Sequence, residues 1–61
     1  MDRHEALDLL PPLYAVALRL EEAGADPAVI AEGVGINPQA VPAFLEVAHG
    51  KLARILRGDA T

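Results

Sequence analysis

Proline and glycine divide this chain into four segments, and that punctuation limits the fold more than any other feature. Pro11-Pro12 ends the first segment, Gly24 and Asp26-Pro27 separate the second from the third, and Gly35 and Asn37-Pro38 introduce the last. An Asp or Asn followed by proline is typical of a helix start, and a glycine after an apolar stretch is typical of a helix end. The pattern therefore predicts helices joined by short turns.

The residues between these breaks favour helices over strands. Alanine and leucine dominate, β-branched residues are scattered, and no segment alternates apolar and polar residues with a period of two. We predict an all-α fold, a small helix-turn-helix bundle of about four helices in one domain over residues 1–61. It comprises a short N-terminal helix over residues 2–10, capped by Asp2, and a helix-turn-helix core over residues 12–57. Pro42 should distort the first turn of the last helix, because it lacks a backbone donor.

The predicted core follows from the helical spacing of apolar residues. Side chains three or four positions apart lie on one side of a helix and form a stripe that faces the core. Val29 is expected to face inward in the short third segment. The remaining predicted core residues are Leu13, Val16, Leu20, Ile30, Ala31, Ile36, Val41, Leu45 and Leu52.

Residue types missing from the chain exclude several kinds of chemistry. The sequence contains no Cys and no Ser, so disulfides, thiolate metal sites and serine- or cysteine-type nucleophiles are excluded. Glu46-x-x-His49 has the helical spacing of a di-iron ligand pair, but such a site also needs carboxylates from other helices. We expect no enzyme activity, catalytic residue, cofactor, metal or small-molecule substrate.

The sequence carries no signal for a membrane or for export. Arg19, Glu21 and Glu22 interrupt the longest apolar run well before the roughly 18 residues that a membrane-spanning helix needs. The N-terminal stretch MDRHEALD is charged and acidic, unlike a signal peptide. Together with the absence of Cys, these features predict a cytoplasmic protein.

The second half of the chain carries a motif whose spacing matches a known family. Ile30-Ala31-Glu32 is followed by the glycine-hydrophobe pair Gly35-Ile36, and the last predicted helix ends with Ala48, Lys51 and Leu52 in an A-x-x-K-L pattern. Residues 24–56 resemble the helix-turn-helix of region four in bacterial sigma factors. The resemblance covers more than half of the chain. It implies a helix-turn-helix fold in which the last helix reads DNA, and a role in bacterial transcription.

The positions that would face DNA depart from this family. Where the family commonly has Lys, Arg, Ser or Thr, this chain has Ala40, Pro42, Ala43, Phe44, Val47 and His49, and only His49 can donate a side-chain hydrogen bond. The net charge of −4 also opposes binding to phosphates. We therefore expect any DNA binding to be weak and indifferent to base sequence. The candidate DNA contacts are Gln39, His49, Lys51, Arg54 and Arg57.

The same departure favours a protein partner. Pro42, Phe44 and Val47 flank the inward stripe of the last helix, and exposed apolar patches mark interaction surfaces. A two-fold dimer needs only one such patch, so we expect a homodimer through these residues, joined by Leu7 or Leu10 of the first helix. The predicted function is a protein-interaction and dimerisation module associated with transcription. A larger protein is a second candidate partner. The alternative is a regulator that binds mainly the DNA backbone.

Overall fold

The structure is a computed structural model that describes residues 1–58, and it contains four α-helices within that range. Helix α1 spans Arg3–Asp8, α2 spans Pro12–Glu22, α3 spans Pro27–Val34, and α4 spans Val41–Leu56. A single 3-10 turn, Pro38–Ala40, precedes α4. No strand occurs in the described range, so the predicted all-α fold is confirmed.

Local signals account for the helix boundaries. The Asp2 carboxylate accepts a hydrogen bond of 2.9 Å from the backbone N–H of Glu5, which caps α1 as predicted. Asp26 lies at the cap position of α3, but its side chain makes no capping hydrogen bond; its backbone carbonyl accepts from Val29 and Ile30 instead. Gly35 ends α3 with φ 76°, a left-handed conformation that favours glycine.

The start of the last helix shows the distortion expected from Pro42. The side chain of Asn37 accepts a hydrogen bond of 2.9 Å from the backbone N–H of Gln39 and opens the 3-10 turn. Helix α4 then begins at Val41 with Pro42 in its first turn, where a missing backbone donor costs least. The predicted irregular turn followed by a regular helix is therefore confirmed.

Two apolar clusters form the core, and α2 and α4 contribute to both. The first cluster joins α1 to α2 and α4, and the second joins α3 to α2 and α4. The half-buried Leu45 packs against both. The buried members of the first are Ala6, Leu7, Leu10, Ala15, Leu18, Ala48 and Leu52, and those of the second are Ala17, Ile30, Ala31, Val34 and Val41.

The predicted core is correct for α4 and partly wrong for α2 and α3. Ile30, Ala31, Val41 and Leu52 are buried, and Leu20, Ile36 and Leu45 are half-buried against the clusters. In contrast, Leu13 and Val16 are 51% and 38% exposed, and Val29 is 48% exposed. Helix α3 has only eight residues, about 12 Å of length, and the residue it places beside Val16 is Gly33, which has no side chain to cover it.

Candidate interaction surfaces

One side of helix α4 is closed by an aromatic stack. The ring of Phe44 stacks on the ring of Tyr14 from α2, with centroids 4.9 Å apart and planes inclined by 26°. Lys51, two turns further along α4, places its Nζ atom 5.6 Å from the centre of the Tyr14 ring. Phe44 is therefore half-buried, which corrects the prediction of an exposed patch containing it.

The opposite side of α4 is tied to the end of α2 by a polar contact. The Nε2 atom of His49 lies 2.7 Å from Oε1 of Glu21. His49 and Lys51 are two positions apart, so they point to nearly opposite sides of α4. Helix α2 therefore crosses α4 with Tyr14 on one flank and Glu21 on the other.

This crossing separates His49 from the basic residues among the candidate DNA contacts. His49 and Lys51 lie on opposite flanks, each against a residue of α2, whereas Arg54 and Arg57 are exposed near the end of α4. Gln39 is exposed in the 3-10 turn, before α4 begins. Lys51, Arg54 and Arg57 are spaced by three residues and lie along one side of α4, whereas His49 and Gln39 are apart from them.

The other two arginines join α1 to α2. Arg19 donates to the Asp8 carboxylate at 2.7 Å, and Arg3 lies 3.6 Å from the Glu22 carboxylate. All four side chains are about half exposed or more, so each pair contributes little, about 0–1 kcal/mol. These arginines are directed to neighbouring carboxylates and add little to any phosphate-binding surface.

The side of α4 that points away from the core has small or apolar residues around Gly50 and two charged residues, Glu46 and Arg54. We call it the outer face of α4. Val47 is 48% exposed there, and the other members are also exposed. Within residues 1–58, Glu46 and Arg54 make no ion pair. The outer face comprises Ala43, Glu46, Val47, Gly50 and Arg54.

A second exposed apolar surface lies where α2 meets α3. Leu13 and Val16 are one turn apart on α2, and Val16 adjoins Gly33 of α3. Val29 lies one turn before Gly33, on the same side of α3. We call Leu13, Val16 and Val29 the α2–α3 apolar face. It arises from residues that the sequence assigned to the core.

Two of the predicted interface residues are inside the molecule. Leu7 and Leu10 lie in the first apolar cluster, packed with Ala48 and Leu52 of α4. They are 0% and 6% exposed, so a second copy cannot reach them while α1 is docked. This corrects their assignment to an intermolecular surface; of the residues predicted there, Pro42 and Val47 are exposed.

The described residues contain no preformed cluster of metal-binding side chains. Among residues 1–58, no three His, Asp or Glu side chains come together in a group that could hold a metal ion. The Nε2 atom of His49 faces Glu21 of α2, so the Glu46–His49 pair gains no carboxylate arrangement of the di-iron type. Over the same range, no helix combines the length and hydropathy needed to cross a bilayer.

Comparison with known proteins gives no relative. No protein-family model, no curated protein and no solved structure matches the chain. The interpretation of these surfaces therefore depends on their own geometry and chemistry.

Proposed function

We propose that this chain is a protein-interaction and dimerisation module built on a helix-turn-helix scaffold. The resemblance of residues 24–56 to region four of bacterial sigma factors supports a setting in transcription. In this proposal α4 contacts protein rather than bases. The chain acts by bringing polypeptides together and has no catalytic activity of its own.

The observation that carries the proposal is the composition of the outer face of α4. Ala43, Val47 and Gly50 offer no hydrogen-bond donor or acceptor to a base edge, since base discrimination requires polar side chains in the groove. They offer instead a flat surface that a second helix can approach closely. Exposed Val47 would lose contact with water in such a complex, which favours association.

The size of the chain gives a second reason for association. A domain of about 60 residues buries only about 60% of the surface that its unfolded chain exposes, so its stability is marginal. Here the three residues of the α2–α3 apolar face and Val47 stay exposed. Binding a partner stabilises the folded chain by mass action, because the unfolded chain does not offer the same surface.

A DNA-binding regulator is the second candidate, and Arg54 and Arg57 are the observation that favours it. Both are exposed near the end of α4. Two cations on a chain with net charge −4 provide a weak, salt-sensitive attraction to phosphates. This candidate would give binding that is indifferent to base sequence.

Sedimentation equilibrium tests the main proposal directly. We expect the wild-type chain to be dimeric at tens of micromolar, with mass falling toward the 6.4 kDa monomer on dilution. Val47→Asp places a charge on the outer face of α4 and should shift the chain to monomer. Ala28→Asp, which adds the same charge to an exposed position of α3 outside both surfaces, should leave the mass unchanged.

A further variant identifies the surface that is used. Val16→Asp adds a charge to the α2–α3 apolar face and is expected to leave the dimer intact. If Val16→Asp dissociates the chain and Val47→Asp does not, self-association occurs through α2 and α3 instead. A wild-type mass of one chain up to millimolar concentration would refute self-association.

A further inference from the structure

Packing within residues 1–58 does not explain why position 50 is a glycine. Gly50 lies in the middle of α4 and, unlike the glycines at the helix ends, has no positive φ. Within the described part of the chain, a Cβ atom built at this position would meet nothing within 4 Å outside its own helix backbone, so packing there does not require glycine. Glycine in a helix interior is destabilising relative to alanine. A close approach by another helix would explain its presence.

The charges on the outer face of α4 are symmetric about this glycine. Glu46 lies four residues before Gly50 and Arg54 lies four residues after it. In a regular helix these positions are about 6 Å to either side along the axis and are rotated by about 40° in opposite directions. A two-fold axis that passes between two antiparallel α4 helices at the level of Gly50 therefore places Glu46 of one chain at the same height along the helix as Arg54 of the other.

We propose that two copies of this chain pair α4 against α4 in antiparallel orientation, with the two-fold axis at Gly50. Glu46 of each copy then faces Arg54 of the other, so the dimer contains two equivalent ion pairs. The second helix then lies over Val47 and covers part of the exposed valine. This inference rests on the proposed dimerisation and specifies its geometry.

The charge pattern selects this orientation over its alternative. In a parallel pair, Glu46 would face Glu46 and Arg54 would face Arg54, and like charges in contact oppose association. Within residues 1–58 neither side chain has an ion-pair partner, so both are available to a second copy. A dimer of this kind also covers the face of α4 that would otherwise enter a DNA groove.

Charge reversal tests the pairing. Glu46→Arg and Arg54→Glu should each raise the dimer dissociation constant by about tenfold or more, because each creates two like-charge contacts. The double variant restores both pairs in reversed order and keeps the wild-type net charge, so its dissociation constant should return to within about threefold of wild type. Glu32→Arg, at an exposed position of α3, is the control for net charge and should have little effect.

Cross-linking tests the position of the axis. The chain contains no Cys, so Gly50→Cys introduces a single thiol, and its Cβ atom would meet no other part of residues 1–58 within 4 Å. Under mild oxidation this variant should form a disulfide-linked dimer, which requires the two Cα atoms to approach within about 7 Å. Ala28→Cys, exposed on α3, should form linked dimers far more slowly at the same concentration.

The outcomes separate this inference from the proposed function. A dimeric chain in which the double reversal fails to restore association, or in which Gly50→Cys links no faster than Ala28→Cys, would refute the antiparallel geometry and leave dimerisation standing. A wild-type chain that is monomeric in sedimentation equilibrium would overturn both.

Discussion

The ring of Phe44 in α4 is stacked on the ring of Tyr14 in α2, with centroids 4.9 Å apart. This contact turns a residue that the sequence suggests for an intermolecular surface into part of the packing between two helices. It leaves Val47, one turn further along, as the larger apolar side chain on the outer face of α4.

The aromatic stack should appear as an energetic coupling between its two residues. Tyr14→Leu and Phe44→Leu are each expected to destabilise the chain, and the double variant should lose less than their sum by about 0.5–1.5 kcal/mol. Urea unfolding at one protein concentration measures the four states of this cycle. A parallel cycle of Tyr14→Leu with Val29→Ala should be additive; additivity in the Tyr14–Phe44 cycle would mean that the rings do not interact.

Leu7 and Leu13 distinguish the observed core from the predicted one, because Leu7 is buried and Leu13 is exposed. Leu7→Ala removes a fully buried side chain and should cost about 2–5 kcal/mol, a large share of the stability of so small a domain. Leu13→Ala makes the same chemical change at a position that is 51% exposed and should cost less than about 1 kcal/mol. Thermal unfolding followed by circular dichroism compares them. Equal losses, or a larger loss for Leu13→Ala, would contradict the described position of α1.

Two glycines should respond to alanine in opposite directions. Gly35→Ala forces a side chain into the left-handed conformation and should destabilise the chain by about 1–2 kcal/mol. Gly50→Ala should stabilise the isolated chain by about 0.5–1 kcal/mol, because the helix is regular there and the space beside it is open. The free energy of unfolding should be measured at concentrations where the chain is monomeric. Stabilisation by Gly35→Ala would show that the turn is not left-handed.

DNA binding should be weak, indifferent to sequence and sensitive to salt. The outer face of α4 offers no bidentate donor to bases in its first turns, and any affinity would come from a few cations near its end. Titration of random and genomic duplexes at low and near-physiological salt measures this. Submicromolar binding to one sequence that persists at physiological salt would restore the DNA-reading function.

The helix boundaries were predictable because their signals are local. Asp2, Asn37-Pro38 and Gly35 act on backbone groups within a few residues, so their effects can be deduced without knowing the neighbours in space. Which apolar side chains of each helix are buried by neighbouring helices was not predictable in the same way. Leu13 and Val16 have the same helical spacing as true core residues, yet both are exposed, because α3 is short and places Gly33 beside Val16.

The candidate surface on α4 was predictable only in part, because residue type can be identified from the sequence but contacts between helices cannot. The apolar character of Pro42 and Val47 can be identified from the sequence, and both are exposed in the structure. The position of Tyr14 over Phe44, and that of Glu21 beside His49, depends on how α2 crosses α4, which no local pattern specifies. Gly50 is detectable from the sequence alone, since a glycine inside a predicted helix is itself a signal of close packing or function.

The two apolar clusters lie at opposite ends of the molecule and are connected through the crossing of α2 and α4. Within residues 1–58, α1 and α3 make no contact with each other, and each packs only on α2, α4 or the turn beside them. Detachment of α1 would uncover Ala48 and Leu52 while Ile30 and Val41 kept their neighbours. Native-state hydrogen exchange should therefore show α1 opening at a lower free energy than the α2–α4 crossing, which makes the N-terminal helix the first part of this fold to yield.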